Sequence, residues 1–424
     1  MAKRLTLYSM DEVSGSRTAD FSSNDYLSLT KEAPLKSLFL EKLALEPNVL
    51  GATGSRLLDG NTPAHLALEL RLRAFYRAPA ALIFNTGFDA NLAIYGSLPQ
   101  SGDVVVFDEL VHASIRDGIA SAYTRPKAYP FEHNSTKALE ATLRQVLKDH
   151  PHIKEGKGTV FVALESLYSM DGDFAPLQEI VRVVNEIVPQ AARHIVIDEA
   201  HTTGIIGEGG RGFVCALGLE KQIHTRLHTF SKALAFGGAV VLTSELNQHY
   251  MTNFARPLLF ATALPISSIV GIDVVHSWIE CDRGREISTQ LAQRTHDNAA
   301  YFLNRLVLAL HGIPSSVLCA MLHEHVVRVP GGALLISPVF PIKTPHALGL
   351  AEHLKARGYY ARAMIAPVVA RGEERVRVCV RAGVTKGEMD EFVDELARFA
   401  RAQMRRGEGE GTEHGEVKRV RAQL

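Results

Sequence analysis

His194–Gly204 reads HIVIDEAHTTG. Its first half is a continuous apolar run that ends on Asp198, the pattern of a strand buried on both faces. Asp198-Glu199-Ala200-His201 also spells the signature of a class of nucleic-acid helicases, so the stretch has two readings. A helicase would hold Mg²⁺ with the acidic pair and needs a GxxxxGK[ST] phosphate loop on an earlier strand–helix turn. The only Gly-Lys pair is Gly156-Lys157; Gly158 follows it in place of Ser or Thr, and Pro151 stands where the first glycine belongs. The motor reading fails, and a carboxylate at the end of a buried strand remains.

Working outward, the same kind of strand recurs at AALIF (80–84), DVVVF (103–107), TVFVAL (159–164) and AVVLTS (239–244). Amphipathic segments lie between, such as PLQEIVRVVNEIV (176–188), with Leu177, Ile180, Val181, Val184 and Ile187 at helical spacing. This alternation predicts an α/β fold with a mostly parallel, doubly wound sheet whose ligands bind outside the carboxyl ends of the strands. Past Pro265 the pattern changes to a long helical stretch (266–310), then LLISPVFPI (334–342), a helix from His346 to Arg357, RVRVCV (375–380), and a last helix from Lys386 to about Met404. The expected organisation is a large domain over 46–270 and a smaller α+β domain over 271–404. Residues 1–45 are expected to pack with the small domain, and the Gly/Glu-rich tail 405–424 to lack ordered structure.

Composition narrows the class. A chain of 424 residues has room for a large core, and its 46 Lys+Arg are balanced by 46 Asp+Glu. That balance removes the electrostatics of a protein that tracks a phosphate backbone, so no nucleic-acid partner is expected. Cys215, Cys281, Cys319 and Cys379 stand far apart with no CxxC, which argues against a disulfide framework or metal site and for an intracellular, cytoplasmic setting. No apolar run reaches the roughly 18–20 residues of a membrane span. MAKRLTLYSMDEVSG acquires Asp11 and Glu12 before any apolar core, unlike a secretory signal. Ala422-Gln423-Leu424 loosely matches the small–basic–Leu peroxisomal address but has Gln423 at the basic position.

Reactive side chains fall on the element boundaries. Asp198 closes its strand and His201 follows on the next loop; the carboxylate could pair with a protonated ring nitrogen or simply cap the strand. In LHTFSKALAFGGAVV, Lys232 occupies a turn beside Thr229 and Ser231, suited to a Schiff base next to phosphate-binding hydroxyls or to a plain solvated lysine. Thr86-Gly87-Phe88 joins a strand to a helix, where N–H groups and the helix dipole suit a phosphate as well as ordinary chain punctuation. His112, in FDELVHASIRDG, follows a strand and could lie flat on an aromatic ring or be a satisfied core histidine.

Eight motifs in series decide among these. They are FSSNDYLSL (21–29), GATGSRLLDGNTPAHLALE (51–69), NTGFDAN (85–91), HASIRDG (112–118), ESLYSMDGDFAPL (165–177), DEAHTTGIIGEGGRG (198–212), TFSKA (229–233) and FATALP (260–265). Over residues 20 to 400 the chain resembles the fold-type I pyridoxal-phosphate enzymes and, within them, the α-oxoamine synthase family.

The resemblance implies pyridoxal 5'-phosphate as cofactor and a homodimer with shared active sites. It implies that Lys232 carries the cofactor and later moves the substrate's Cα proton, that Asp198 holds the pyridinium and His201 the phenolic oxygen, and that His112 stacks on the ring. Thr86, Gly87, Phe88 and Thr229 are similar to the family's phosphate cup, Ser169 to a position near the cofactor oxygen, and Thr262 to one that reaches the neighbouring subunit's phosphate. Asn24 and Arg377 match substrate positions, and a bidentate guanidinium suits an amino-acid carboxylate. Glu199 and Ala200 are expected only to carry the chain.

The implied activity is an acyltransferase reaction, the decarboxylative condensation of an amino acid with an acyl-CoA. Alanine and pimeloyl-CoA, the pair used in biotin synthesis, are the expected substrates. Another thioester or amino acid, as in secondary metabolism, or a plain aminotransferase, is the alternative. Three departures bear on acyl specificity. The family usually carries a longer segment ahead of NDYL; its usual glycine is Ser28; and its common SAAHT reads RAGVT (381–385), with Val384 in place of His.

Overall fold

The computed structural model describes residues 19–320, 322 and 325–421, with side chains described as far as Arg405. The expectations for the first fifteen residues and for Ala422-Gln423-Leu424 lie outside the described residues.

Seven strands form the central sheet, in the spatial order Ala80–Phe84, Ala239–Thr243, Thr225–Thr229, Arg193–Asp198, Val160–Glu165, Val104–Asp108 and Lys127–Phe131. All run parallel except Ala239–Thr243, which is antiparallel to both neighbours. This is the mostly parallel α/β sheet expected of a fold-type I enzyme, and every Val/Ile-rich run read as a strand is one.

Two of its strands have no apolar signature. Lys127–Phe131 is the edge strand, largely exposed, and an edge tolerates Pro130 because the missing N–H faces away from the ladder. Thr225–Thr229 is buried throughout although it reads TRLHT. Each of its polar side chains has a local partner: Thr225 Oγ1 lies 2.9 Å from Thr243 Oγ1, Arg226 donates to the Tyr76 carbonyl at 3.0 Å, and His228 Nδ1 lies 2.9 Å from Thr203 Oγ1, while Arg226 Nη1 and His228 Nε2 have none among the described residues. Hydrogen bonding lets such groups be buried without the penalty that unpaired ones incur.

The small domain has its own core around Phe302, Phe340, Leu350, Val376 and Phe392. It covers a four-stranded antiparallel sheet in the order Arg362–Met364, Arg375–Cys379, Val339–Lys343, Cys319–Ala320. LLISPVFPI is two strands: Leu334–Ile336 pairs with Val326–Arg328 in a hairpin, and Pro338 precedes Val339–Lys343 in the sheet.

The domain boundary differs from the expected position after residue 270. Helix Ile266–Glu280 runs through it, and Ile269, Val270, Ile272, Val275 and Trp278 all join the large-domain core. The chain turns at Cys281 into a separate helix, Asp282–Ala309. A Cβ on Gly284 would lie 1.9 Å from the Trp278 carbonyl oxygen, so this close corner requires glycine. The apolar period runs through both helices, which hides the break.

The chain ahead of residue 46 touches both domains. Ala19–Asp20 pairs in parallel with Tyr359–Tyr360, and Phe21 stacks on Phe392 with ring centroids 4.2 Å apart. Helix Ala33–Ala44 lies instead on helix Ile266–Glu280, with Phe39 against Phe236 at 5.3 Å. The last helix spans Lys386–Arg421, so the backbone continues as helix past Met404 into the tail expected to lack structure. No helix among the described residues is long and apolar enough to cross a membrane.

Candidate active site

A cavity of about 300 Å³ opens at the carboxyl ends of the parallel strands. Asn24, Thr86, Gly87, Phe88, His112, Ser169, Asp198, His201, Thr229, Lys232 and Arg377 all line it. Residues from five loops and from the small domain thus converge, as the register dictates: Glu165 and Asp198 end adjacent parallel strands as a matched pair.

Asp198 is buried and rigidly held. Its Oδ2 accepts from Asn91 Nδ2 at 2.8 Å and its Oδ1 from the Ala200 N–H at 3.0 Å. Asn91 also donates to Ser114 Oγ at 2.9 Å, and Ser114 Oγ lies 2.7 Å from His112 Nδ1. A chain of contacts therefore links the floor carboxylate to His112, whose backbone N–H donates to Glu165 Oε1 at 2.5 Å. Burial and the neighbouring Asp198 charge push the Glu165 carboxyl well above its usual range, toward the neutral acid.

Lys232 follows strand Thr225–Thr229 and keeps part of its surface open. Its amine makes no hydrogen bond or ion pair among the described residues, and burial drives it below the usual lysine range against the pull of Asp198 and Glu165. A lysine held toward the free amine is a nucleophile. His201 is likewise pushed well below the usual histidine range by burial, with Lys232 and Arg377 adding to the effect.

The phosphate-type donors sit opposite. Thr86 caps helix Gly87–Ser97, accepting from the Asp89 N–H at 3.0 Å, so the helix N-terminus opens on the cavity. Gly87 packs on Thr229: an added Cβ would come within 3.3 Å of its Cβ. Thr229 Oγ1 and Ser231 Oγ pair at 3.1 Å on the same wall. Phe88 meets His112 edge-on with centroids 6.2 Å apart.

Arg377 reaches in from the small domain. It is 5 % exposed and donates twice to Asn24 Oδ1 at 3.0 Å and once to the Ser169 carbonyl at 2.5 Å. No carboxylate pairs with it among the described residues. A buried guanidinium held only by neutral acceptors is a receptor for an anion.

Thr262 is the exception to the convergence. Its carbonyl accepts from Asn85 Nδ2 at 2.8 Å and it bridges to Ser55, outside this cavity; the role implied for it concerns a second subunit. Glu199 corrects the expectation that it only carries the chain. It is fully buried, and its carboxylate accepts from Thr202 Oγ1 at 2.5 Å and from the N–H groups of Phe213 and Val214 at 2.7 and 3.0 Å. It thereby folds the 199–214 loop beneath the site. Tyr26, Asn91, Ser114 and Glu165 were not singled out from the sequence, although each stands in a motif that was. Asn91 could have been found, because it lies one helical turn beyond Gly87 and faces the same way.

The donor set fits pyridoxal phosphate. A strand-end carboxylate, a desolvated lysine, a helix N-terminus with adjacent hydroxyls and a histidine over the cavity supply one group for each polar part of that molecule.

Comparison with known proteins points the same way. The family model for aminotransferase class I and II matches residues 17–396. The chain is 37% identical over 386 residues to 8-amino-7-oxononanoate synthase from Emericella nidulans, covering 91% of this chain and 90% of that one. It is 34% identical over 388 residues to the aminoacyl transferase sphA of Byssochlamys spectabilis, covering 91% and 81%. Among solved structures, a variant serine palmitoyltransferase from S. paucimobilis with a bound PLP–myriocin aldimine is similar at a TM-score of 0.74 and 26% identity, over 91% of this chain and 88% of that one.

Proposed function

This chain belongs to the aminotransferase class I and II family and, within it, to the PLP-dependent α-oxoamine synthases, acyl-transferring enzymes; from that premise we propose that its substrates are alanine and pimeloyl-CoA. The proposed reaction forms a bond between the amino acid's Cα and the acyl carbon and breaks the thioester C–S bond, releasing CoA. Loss of the carboxyl group as CO₂ and return of a proton to the carbon that carried it then give 8-amino-7-oxononanoate, a step toward biotin.

The observation that carries this reading is Arg377: a buried guanidinium without a carboxylate partner, in the same cavity as Lys232 and Asp198. It is assigned to the carboxylate of the amino acid, with Asn24 fixing its plane. Pyridoxal phosphate, when bound, supplies an electron sink for negative charge at the substrate Cα. Lys232 would hold it covalently, Asp198 its pyridinium, His201 its phenolic oxygen, and Thr86, Gly87, Phe88 and Thr229 its phosphate; His112 would lie on its ring. The Lys232 amine would also be the base for the Cα proton, because burial disfavours its charged form. Glu165, whose carboxyl is pushed above its usual range by burial and by the Asp198 charge, accepts from the His112 N–H and keeps that backbone in place.

A homodimer with shared sites is part of the proposal. Its support is the apolar surface around the cavity mouth and Thr262, where Leu58 and Phe260 are more than two-thirds exposed and Phe88 is open. Free thiols at Cys215, Cys281, Cys319 and Cys379 support an intracellular setting. The likeness to an aminoacyl transferase favours a second reading, in which the same chemistry runs on another amino acid or thioester.

The test is free-thiol release by the holoenzyme with single amino acids plus pimeloyl-CoA. Release with alanine, and not with glycine or serine, supports the proposal. Keto-acid exchange with no thiol from any acyl-CoA would overturn it. Lys232→Ala is expected to abolish borohydride fixation of the cofactor; persistent fixation would mean another lysine carries it.

A further inference from the structure

Ser169, whose carbonyl accepts from Arg377, belongs to a loop that crosses between the domains. From the small-domain side it is held by two arginines. Arg377 donates to the Ser169 carbonyl at 2.5 Å, and Arg375 donates to the Met170 carbonyl at 3.0 Å and to Asp171 Oδ1 at 2.5 Å. From the large-domain side it is held through Asp173, and there the partner is a histidine outside the cavity.

His133 lies just past the edge strand Lys127–Phe131. Its Nδ1 is 2.8 Å from Asp108 Oδ1 and its Nε2 is 2.8 Å from Asp173 Oδ2. The Asp108 side chain is fully buried, and those of Asp173 and His133 are 11% and 17% exposed. Ionised carboxylates only accept, so two such contacts require both ring nitrogens to carry protons. The ring is an imidazolium clamped between two carboxylates.

The neighbours reinforce the clamp. Asn134 donates its backbone N–H to Asp108 Oδ2 at 2.8 Å and its side chain to Asp173 Oδ2 at 3.0 Å. The His133 ring meets Tyr168 edge-on at 4.5 Å, and the Tyr168 N–H donates to the Asp173 carbonyl at 3.0 Å. His133 therefore ties the end of strand Val104–Asp108 to the loop Tyr168–Asp173. Burial would lower its pKa, but the hydrogen bonds to Asp108 and Asp173 outweigh that and push it up to about 10.

We infer that His133 is a positioning residue for substrate binding: its clamp on Asp108 and Asp173 sets the Ser169–Asp173 loop, and the loop in turn aims the Arg377 guanidinium at the amino-acid carboxylate. This rests on the proposed role of Arg377. His133 does not line the cavity, so its loss should be felt by ligands that need Arg377 and not by ligands that do not. An α-amino acid has the carboxylate; a simple amine of the same chain length lacks it.

The experiment titrates holoenzyme with alanine and with ethylamine, following cofactor absorbance, for the parent protein and for His133→Gln, Asp173→Asn and Arg377→Ala. Misaiming one charge-assisted hydrogen bond is worth about tenfold in affinity. We expect alanine to bind about tenfold more weakly to His133→Gln, less so to Asp173→Asn, with ethylamine unchanged in both. Hydrogen exchange should be faster at the amides of Tyr168 and Gly172 in His133→Gln, with strand Val160–Glu165 unaffected. The inference is overturned if His133→Gln binds alanine like the parent or weakens alanine and ethylamine equally. If Arg377→Ala separates the two ligands while His133→Gln does not, only this inference falls. If Arg377→Ala fails to separate them, the assignment of Arg377 falls and this inference with it.

Discussion

Tyr26 Oη lies 2.7 Å from His201 Nδ1, although the two residues are 175 positions apart. Burial keeps the Tyr26 phenol protonated and His201 uncharged. Of the phenol's other neighbours, Arg377 can only donate, and Asn24 Oδ1 is farther at 3.3 Å and already accepts twice from Arg377. Tyr26 therefore donates to Nδ1, which places the single imidazole proton on Nε2. A histidine in that tautomer is a fixed hydrogen-bond donor. Tyr26→Phe removes the constraint, and we expect kcat to fall by about tenfold, the worth of one hydrogen bond in a buried site. The cofactor absorption band should also become more sensitive to pH. An unchanged spectrum and kcat would show that the tautomer is set elsewhere.

Asn91 holds Asp198 Oδ2 and Ser114 Oγ at once. In Asn91→Ala the floor carboxylate keeps only the Ala200 N–H, and about tenfold weaker cofactor binding is expected in a titration of the apoprotein. Asn91→Asp should be worse than Asn91→Ala, because it sets a second carboxylate against the first. Equal affinities for the two variants would argue that Asn91 only fills space.

These two residues show where the sequence stops being legible. Strands such as Val104–Asp108 announce themselves because parallel strands buried on both faces must be apolar throughout. Lys232 and Asp198 stand at strand ends, where a solvated lysine and a capping carboxylate read equally well, and the series of motifs around them decides. Tyr26 acts only by touching a residue across the fold, and nothing in its local spacing reports that contact; the spacing of Asn91 from Gly87 places it on the cavity face but does not report its partners Asp198 and Ser114. The same holds for the polar strand Thr225–Thr229, whose burial depends on partners contributed by Tyr76, Thr203 and Thr243.

Two departures from the family pattern prove to be in contact. Ser28 sits in the left-handed region, with φ 58°, where the family usually has glycine, and its Oγ accepts the Gly383 N–H at 2.9 Å. A Cβ at Gly383 would lie 2.7 Å from that Oγ and 3.2 Å from the Ser28 Cβ. Gly383→Ala should thus destabilise the protein by about 1–3 kcal/mol through overpacking. Ser28→Gly removes both the obstacle and the backbone strain, so most of that loss should be recovered in the double variant. Denaturant unfolding of the four proteins in the cycle measures the coupling; additive effects would mean the contact is relieved some other way.

The His133 clamp also makes a prediction about stability and pH. Its folded-state value of about 10 is raised above the ordinary histidine value of 6.5, so the folded protein binds the proton more tightly than the unfolded chain. The stabilisation is then complete below the unfolded value, declines as pH rises past 6.5, and is gone above about 10. The groups facing the ring are Asp108, Asp173 and the phenol of Tyr168, with Glu109 accepting from the His133 backbone N–H. Above the clamp's range the two aspartates face each other without the intervening charge. The parent protein should therefore lose stability between pH 7 and 10 more steeply than His133→Gln, whose denaturation midpoint should be lower at pH 7 and converge on the parent's near pH 10. Parallel curves for the two proteins across that interval would show that the ring carries no proton of its own.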